Sequence, residues 1–302
     1  MTRFIRVAVV GVASLLFLAA CGGDDESPTT PGATSAAITN VTVGSANFPE
    51  SELLAEIYAG ALEGKGVTVE RQLGIGAREV TYGQLQSGDL TIMPEYNGAL
   101  LQYLDQNATA ATTDETNAAL TAALPPELEI LDSAAAEDKD SLTVTQETAS
   151  QNSLQTIEDL AKVSKDMTIG GPPEMQQRRE QQFKDVYGLE FKEWRALDVG
   201  GALTVTALKD GDVQVANLFT TDPAIMANNF VVLDDPKSVF GAQNITPLVH
   251  KAGVDQNIRD TINAVSAKLD TATLAGLLAK VVTDHEDADQ VAQEWLTSAG
   301  LA

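Results

Sequence analysis

Two segments of the chain place an aromatic residue and then a polar residue just after an apolar run that predicts a buried strand. Residues 85–92 (LQSGDLTI) and 208–215 (LKDGDVQV) align without gaps, and each predicts a helix end, a Gly-Asp turn and a strand. Ligands of open α/β sheets bind beyond the carboxyl ends of strands. We therefore expect the residues that follow both strands to meet at one cleft, unless the match is ordinary helix–turn–strand sequence. In register, the aligned pairs are Tyr96 with Phe219 and Asn97 with Thr220.

The first predicted strand, around residues 41–45, is also followed by side chains suited to a cleft. Asn47 could contact a ligand or could form a turn, which Asn tolerates well. Phe48 could offer a ring face, or could pack against the helix that begins at Pro49. Arg78 follows a Gly-Ile-Gly turn, and its guanidinium could pair with a ligand carboxylate or with an internal acid. Tyr96 itself has the alternative of packing in the core.

The segment after the second aligned strand adds Thr221 and Asp222. Asp222 fits the cap of a helix that begins at Pro223, and a capping residue at a strand end can still face the crevice. Further on, Gln243 favours a ligand with hydrogen-bonding groups. We include all three of these polar residues among the candidate ligand contacts.

The turn Gly170–Pro173 predicts the start of a polar helix after another short strand. Pro173 and Glu174 are candidates for the cleft, although Glu174 could instead complement the positive end of that helix. Arg178 and Arg179 lie on the same helix, and we expect them to be solvated.

Patterns for catalysis or metal binding are weak. The chain has two histidines, His250 and His285, without the spacing of paired metal ligands. It contains neither a Gly-x-Ser-x-Gly elbow nor a phosphate-binding loop. The sequence therefore predicts no catalytic residue, no metal and no cofactor. An exported enzyme stays an alternative that would need a nucleophile and base which the pattern does not show.

The elements that would position these residues alternate between short apolar runs and helical periodicity from residue 40 onward, which indicates an α/β fold with parallel strands. The apolar spacing of Leu154, Ile157, Leu160 and Val163 predicts one helix. Beyond the N-terminal region about 265 residues remain, enough for two modest cores.

The N-terminus predicts export. Arg3 and Arg6 precede an uncharged run of about 14 residues, which is shorter than the roughly 18–20 needed to span a bilayer. We expect residues 1–20 to be a signal peptide, and 21–39, poor in large apolar side chains, to be a flexible linker. Leu18-Ala19-Ala20-Cys21 resembles the lipobox of bacterial lipoproteins, which implies lipid on Cys21. The alternative is a plain secretory signal with an incidental cysteine.

The chain is strongly acidic, with 43 Asp and Glu against 19 Lys and Arg and a formal net charge of −24. Loss of residues 1–20 would remove two arginines and no acid, which makes the charge more negative still. Such a charge balance argues against the patch of Lys and Arg that binds nucleic acid and against a polybasic segment that binds anionic lipid. It fits solubility by self-repulsion, or a field that attracts a cationic ligand.

Five sequence stretches resemble the substrate-binding proteins of ABC importers of the glycine betaine, choline and carnitine (osmoprotectant) class. The resemblance runs from about residue 40 to the C-terminus and depends on the combination, since any one stretch alone is weak. The stretches are VGSANFPE (43–50), GIGARE (74–79), MPEYNG (93–98), FTTD (219–222) and the closing EWL with GL at 300–301.

The resemblance implies a type II periplasmic-binding-protein fold, in which two α/β lobes are joined by two crossing strands and close on a ligand by a hinge. Carried over, lobe 1 holds residues 40–143 and 219–302, and lobe 2 holds 144–218. Family members bind quaternary ammonium in a cage of tyrosines. Tyr96 matches one of them, but Pro172-Pro173 and residues 240–244 stand where the family often has other aromatics. Phe48, Phe219 and Phe240 could supply other ring faces.

The function we predict is that of a monomeric, lipid-anchored extracytoplasmic protein that captures a small zwitterionic or polar solute and delivers it to the permease of an ABC importer. Choline, betaines including ergothioneine-like ones, carnitine and neutral aromatic compounds all stay open as solutes. A ligand-sensing lipoprotein without a transporter is the other alternative. The candidate ligand contacts are Asn47, Phe48, Arg78, Tyr96, Asn97, Pro173, Glu174, Phe219, Thr220, Thr221, Asp222 and Gln243.

Overall fold

The computed structural model describes residues 37–108, 110–198 and 200–302. The predicted signal peptide, Cys21 and most of the predicted linker lie outside the described residues. Within the described part, no helix is both long enough and apolar enough to cross a membrane.

Ten strands and eleven α-helices are found in the described residues. The strands are β1 (Asn40–Gly44), β2 (Thr68–Gln72), β3 (Ile92–Tyr96), β4 (Leu128–Ile130), β5 (Asp140–Thr145), β6 (Thr168–Gly171), β7 (Glu193–Ala196), β8 (Val215–Phe219), β9 (Phe230–Val232) and β10 (Ile245–His250). The helices are α1 (Pro49–Gly64), α2 (Arg78–Ser87), α3 (Asn97–Leu104), α4 (Thr113–Ala123), α5 (Gln146–Asn152), α6 (Pro173–Tyr187), α7 (Ala202–Lys209), α8 (Pro223–Ala227), α9 (Gln256–Ser266), α10 (Thr271–Val282) and α11 (Ala288–Ala299).

The strands form two sheets with the same internal plan. The first sheet has the order β2-β1-β3-β10-β4 and the second β7-β6-β8-β5-β9. In each sheet the first three strands are parallel, and the fourth runs antiparallel to both of its neighbours. The aligned segments of the sequence therefore end in equivalent strands, β3 and β8. The predicted α/β fold with parallel strands is confirmed.

Each sheet has its own core. Leu53, Ile57 and Leu62 of α1 are fully buried against the first sheet with residues of α9 to α11, while Phe183 of α6 packs with Ile169 of β6 in the second. The apolar residues of α1 recur at helical spacing, so they share the face that is buried. Pro49 lies in the first turn of this helix, where proline is well tolerated. The two cores explain how one chain of this length stabilises two sheets.

The chain passes between the sheets twice, at residues 131–139 and 233–244. The two passages are joined by an antiparallel bridge between Glu137 and Asn244. The predicted return to lobe 1 at residue 219 is too early, because β9 pairs with β5 through Val231 and Val144. The second sheet and its helices thus take up residues 140–232, and the first sheet and its helices take up 40–130 and 245–302. The predicted start of lobe 2 at residue 144 is slightly late, because β5 begins at Asp140.

The predicted helix over residues 154–163 is also wrong. The structure has α5 over Gln146–Asn152 and a separate 3₁₀ helix over Ile157–Lys162. Thr156 and Asp159 form a capping box that begins the 3₁₀ helix, so this helix is separate from α5. Leu154, Ile157 and Leu160 are nevertheless buried, as their apolar character demands.

Candidate functional site

A cavity of about 310 Å³ lies between the two sheets and takes residues from both. Four aromatic rings and five charged side chains line it, together with Ala99, Gln102 and Gln243. The rings are Phe48, Tyr96, Phe219 and Phe240, and the charged residues are Asp138, Lys139, Asp140, Arg178 and Arg179. Tyr96 and Phe219 thus share one opening, as the aligned strand ends predict.

The first wall of the cavity is a pair of stacked rings. Phe48 precedes α1 and Tyr96 ends β3, and their ring centroids lie 6.2 Å apart at an interplanar angle of 29°. Phe48 is 38% exposed, so one of its faces is open to a ligand. Ring faces of this kind attract a cation that has no hydrogen to donate.

The opposite wall comes from the second sheet and from the second passage between the sheets. Phe219 ends β8 and is 37% exposed, while Phe240 is buried and packs edge-to-face on Phe183 at 5.7 Å. The guanidinium carbon of Arg179 lies 5.6 Å from the centre of the Phe240 ring. The wall therefore presents both a ring face and a positive charge.

Arg178 and Arg179 project from α6 into this cavity. Arg179 Nη1 donates hydrogen bonds to Val239 O at 3.0 Å and to Gln182 Oε1 at 2.7 Å. Burial lowers the pKa of Arg179, and the negative charge of Asp140 opposes that effect. Neither arginine forms an ion pair with a carboxylate in the described part of the chain, so both can accept an anionic partner.

The floor on the first side is acidic. Tyr96 Oη donates to Glu50 Oε1 at 2.6 Å, and Thr221 Oγ1 donates to Asp138 Oδ1 at 2.9 Å. Burial raises the pKa of Glu50 to about 7, and the charge of Asp138 raises it as well. Burial likewise raises the pKa of Asp138 to about 6. Asp138 therefore places a carboxyl group of the cavity beside the stacked rings, whereas Asp140 of β5 places a second one near Arg179.

A family model described as the substrate binding domain of ABC-type glycine betaine transport systems (OpuAC) matches residues 39–298. The chain belongs to this family. Members are substrate-binding proteins and not enzymes, so the protein is the extracytoplasmic solute-binding component of an ABC transport system, with a small-molecule ligand and permease partners.

Curated relatives match along most of their length. The chain is 27% identical to the glycine betaine-binding protein YehZ of Escherichia coli K12 over an alignment of 277 positions, which covers 86% of this chain and 90% of YehZ. It is 25% identical to the carnitine transport binding protein OpuCC of Listeria monocytogenes over an alignment of 305 positions, which covers 97% of this chain and 96% of OpuCC.

Solved structures show the same architecture. Apo YehZ from Escherichia coli superposes with a TM-score of 0.79 at 25% identity, covering 87% of this chain and all of that one. A crystal structure of a glycine betaine/carnitine/choline ABC transporter component gives a TM-score of 0.81 at 24% identity, covering 86% and 99%. The predicted type II periplasmic-binding-protein fold is confirmed.

Four of the predicted contacts line the cavity of this binding protein: Phe48, Tyr96, Phe219 and Gln243. Gln243 Oε1 accepts from the backbone of Ala99 at 3.0 Å. That bond fixes the Gln243 amide at the start of α3, beside the stacked rings.

Asn97 does not reach the cavity. It is fully buried, its Nδ2 donates to Asn117 at 2.9 Å, and its Oδ1 accepts from the backbone of Gly98 and Asn244 at 2.8 Å. This side chain joins α3 to the segment before β10. The structure therefore gives Asn97 a packing role in place of the predicted contact.

Three neighbouring residues, Thr220 to Asp222, hydrogen-bond to other protein groups around the site. Thr220 Oγ1 donates to Glu137 O at 2.7 Å, and Thr221 donates to Asp138. Asp222 caps α8 by accepting from the backbone of Ala224 at 2.8 Å. The capping alternative for Asp222 is confirmed, and Thr221 acts on the cavity through Asp138.

A smaller cavity of about 240 Å³ adjoins the stacked rings and is lined by Asn47 and Arg78. Arg78 is held by Glu95, with Nε–Oε distances of 2.9 and 3.2 Å and Nη2–Oε2 of 2.9 Å. Burial opposes the charge of Arg78, but the Glu95 hydrogen bonds outweigh it and raise the pKa. The internal pairing alternative for Arg78 is therefore the one observed.

Pro173 and Glu174 are exposed at the start of α6 and do not line the larger cavity. Arg178 and Arg179, further along the same helix, do line it. The sequence analysis missed Arg178, Arg179, Asp138 and Glu50. Only the Gly-Gly-Pro-Pro turn before α6 signalled that this helix begins at a strand end.

Proposed function

We propose that the binding protein captures a small zwitterion with a quaternary ammonium group in the 310 Å³ cavity. The observation that carries the proposal is the lining itself: four aromatic rings, two carboxylates and two guanidinium groups with no carboxylate partner among the described residues converge from both sheets on one space, together with Lys139, which is paired with Glu137. A zwitterion offers a partner to both signs of charge in the lining, whereas a neutral solute offers a charged partner to neither.

The cationic end of the solute would lie against Phe48 and Tyr96 with Asp138 beside it. Quaternary ammonium cannot donate a hydrogen bond, so ring faces and a nearby carboxylate are the groups that stabilise it. Phe219 would close the cage from the second sheet. In this cage Phe48 and Phe219 would take the place of the tyrosines that family members use, because a phenylalanine ring face also attracts a cation.

The anionic end would pair with Arg178 and Arg179. A guanidinium binds a carboxylate through parallel N–H donors, and such charge-assisted bonds are about twice as strong as neutral ones. The relatives named for glycine betaine and for carnitine support a solute that carries a trimethylammonium and a carboxylate. Choline, which has no carboxylate, would use only half of the site.

Binding would favour the closed form of the two halves by population shift, because the solute contacts both sheets only when they approach. The permease would then recognise the closed form.

We further propose residues 1–20 as a signal peptide, 21–39 as a linker, lipid on Cys21 as the membrane anchor, and a monomeric binding unit. Radiolabelled lipid incorporation that is lost in Cys21→Ala would support the anchor.

Calorimetry with four probes tests the site: glycine betaine, carnitine, choline and 3,3-dimethylbutanoate, in which a neutral tert-butyl group replaces the ammonium. We expect glycine betaine or carnitine to bind best and dimethylbutanoate not to bind. Arg179→Ala should weaken glycine betaine by about tenfold or more while changing choline little, since a charged hydrogen bond contributes roughly 1.5–3 kcal/mol.

The control is Arg195→Ala, which removes an arginine paired with Asp212 on the surface at 3.0 Å. It should leave both affinities unchanged. Equal loss of choline and glycine betaine in Arg179→Ala, or tight binding of dimethylbutanoate, would refute the proposed charge arrangement.

A further inference from the structure

Glu50 lies behind Tyr96, next to Asp138 of the cavity lining, and one of its carboxyl oxygens lacks a hydrogen-bond donor among the described residues. Glu50 is 4% exposed, and its Oε1 accepts from Tyr96. Its Oε2 is buried and has no hydrogen-bond partner among the described residues. A hydroxyl has one hydrogen to give, and that of Thr221 goes to Asp138. Glu50 Oε2 is therefore an acceptor without a donor, or the oxygen that carries a proton.

We propose that Glu50 and Asp138 together hold one proton in the empty site and that the cationic end of a bound solute displaces this proton into solvent. The inference rests on the proposed function, because it takes that cationic end to lie beside Tyr96 and Asp138. It makes Glu50, which does not line the cavity, a positioning residue that sets the requirement for a positive charge.

The charges around the pair support a shared proton. Burial is the main cause that raises the pKa of both groups, and the charge of Asp138 adds to it at Glu50. Asp140 and Asp222 raise the pKa of Asp138 further. Because the charge of Asp138 acts on Glu50, ionisation of one group disfavours ionisation of the other, and the two titrate as a unit.

Positive groups near the pair are engaged elsewhere or lie across the cavity. Lys139 pairs with Glu137 at 2.7 Å, and Arg78 pairs with Glu95. Arg179 stands on the opposite wall over Phe240. In the part of the chain that the structure describes, no Lys, Arg or His pairs with Glu50 or Asp138. A ligand cation is the partner that the ionised pair needs.

Charge selection follows from this arrangement. A trimethylammonium group beside Tyr96 and Asp138 stabilises the doubly ionised pair, and the proton then leaves. A neutral solute of the same shape leaves the proton in place and gains none of that attraction. The pair thus favours cationic groups over their neutral isosteres.

The test is calorimetry of wild-type protein with glycine betaine and with choline, whose ammonium charge does not titrate. Each titration is run in two buffers of different ionisation heat, so that the protons released are counted. We expect about one proton per bound solute at pH 6.5, little at pH 8.5, and a Kd that rises about tenfold from pH 7.5 to pH 6.

Glu50→Gln should release less than half as many protons as wild type at pH 6.5 and should show a flatter profile of Kd against pH, as should Asp138→Asn. Glu56→Gln is the matched control, since Glu56 lies on the same helix, is also buried and pairs with Arg71 at 2.8 Å. It should behave as wild type.

Two failures can be told apart. If no probe binds wild type at any pH, the proposed function falls, and this inference falls with it. If the probes bind wild type with no proton release and a flat pH profile, only this inference is overturned. The wild-type measurement stands even if a variant fails to fold, which a thermal unfolding curve would show.

Discussion

Replacing Glu50 should change how the stability of the protein depends on pH, with no ligand present. Burial raises the pKa of Glu50 from 4.5 to about 7, so the folded state keeps a proton that the unfolded chain loses above pH 4.5. The contribution of Glu50 to stability is fully present below about pH 4.5 and is lost as pH rises to about 7.

The magnitude follows from the size of that shift. One pKa unit corresponds to 1.36 kcal/mol, so the shift corresponds to at most about 3 kcal/mol of stability lost across this window. Glutamine cannot ionise, yet its carbonyl can still accept the hydrogen bond from Tyr96. Glu50→Gln should therefore gain stability relative to wild type as pH rises from 5 to 8, by up to about 3 kcal/mol.

Urea unfolding at pH 5, 6, 7 and 8 and constant ionic strength measures this difference. The general effect of the acidic surface cancels, because both proteins share it. Glu63→Gln is the control on the same helix: Glu63 binds Arg71, whose hydrogen bond lowers the pKa of Glu63, so its effect falls below the window. A difference between wild type and Glu50→Gln that stays constant from pH 5 to 8 would refute the burial argument.

Two further substitutions test the ring wall and the packing behind it. Tyr96→Ala should weaken glycine betaine binding by more than tenfold, or about 1.4 kcal/mol, whereas Tyr96→Phe, which keeps the ring, should lose less; equal calorimetric losses in both would contradict a role for the ring face. Gly98→Ala should destabilise the fold by about 2 kcal/mol or more, because an added Cβ would lie 2.2 Å from Ala242 O. The control Gly276→Ala, where a Cβ meets nothing within 4 Å, should raise the melting temperature slightly through helix propensity; a similar fall in both would argue against a specific clash.

The part of the site that could be predicted is encoded in short patterns of neighbouring residues. A helix end, a Gly-Asp turn and an apolar run are local signals, and they placed Tyr96 and Phe219 at the ends of equivalent strands. Gly88 and Gly211 both have positive φ, at 85° and 78°, which explains why glycine recurs there. Local order also predicted the start of α1 at Pro49.

The rest of the site depends on where the sheets meet, which no local pattern records. Asp138 lies in a charged passage between the sheets, and its role follows from its contact with Thr221, which is 83 residues further along the chain. Arg178 and Arg179 face the cavity because of the way α6 packs, although their sequence is that of a solvated helix. The early boundary at residue 219 has the same origin, since β9 pairs with β5 across a long separation.

The two passages between the sheets also carry part of the cavity lining, which ties ligand binding to the hinge. Asp138 comes from the first passage, and Phe240 and Gln243 come from the second. Asp138 N donates to Gln243 O at 3.2 Å, and Gln243 N donates to Glu137 Oε1 at 3.3 Å. If a bound solute displaces the proton that Glu50 and Asp138 share, as inferred above, it acts on a segment that links the two sheets. A ligand shifts a conformational equilibrium only by its differential affinity for the two forms, and contacts at these segments supply that difference more directly than contacts on either sheet alone.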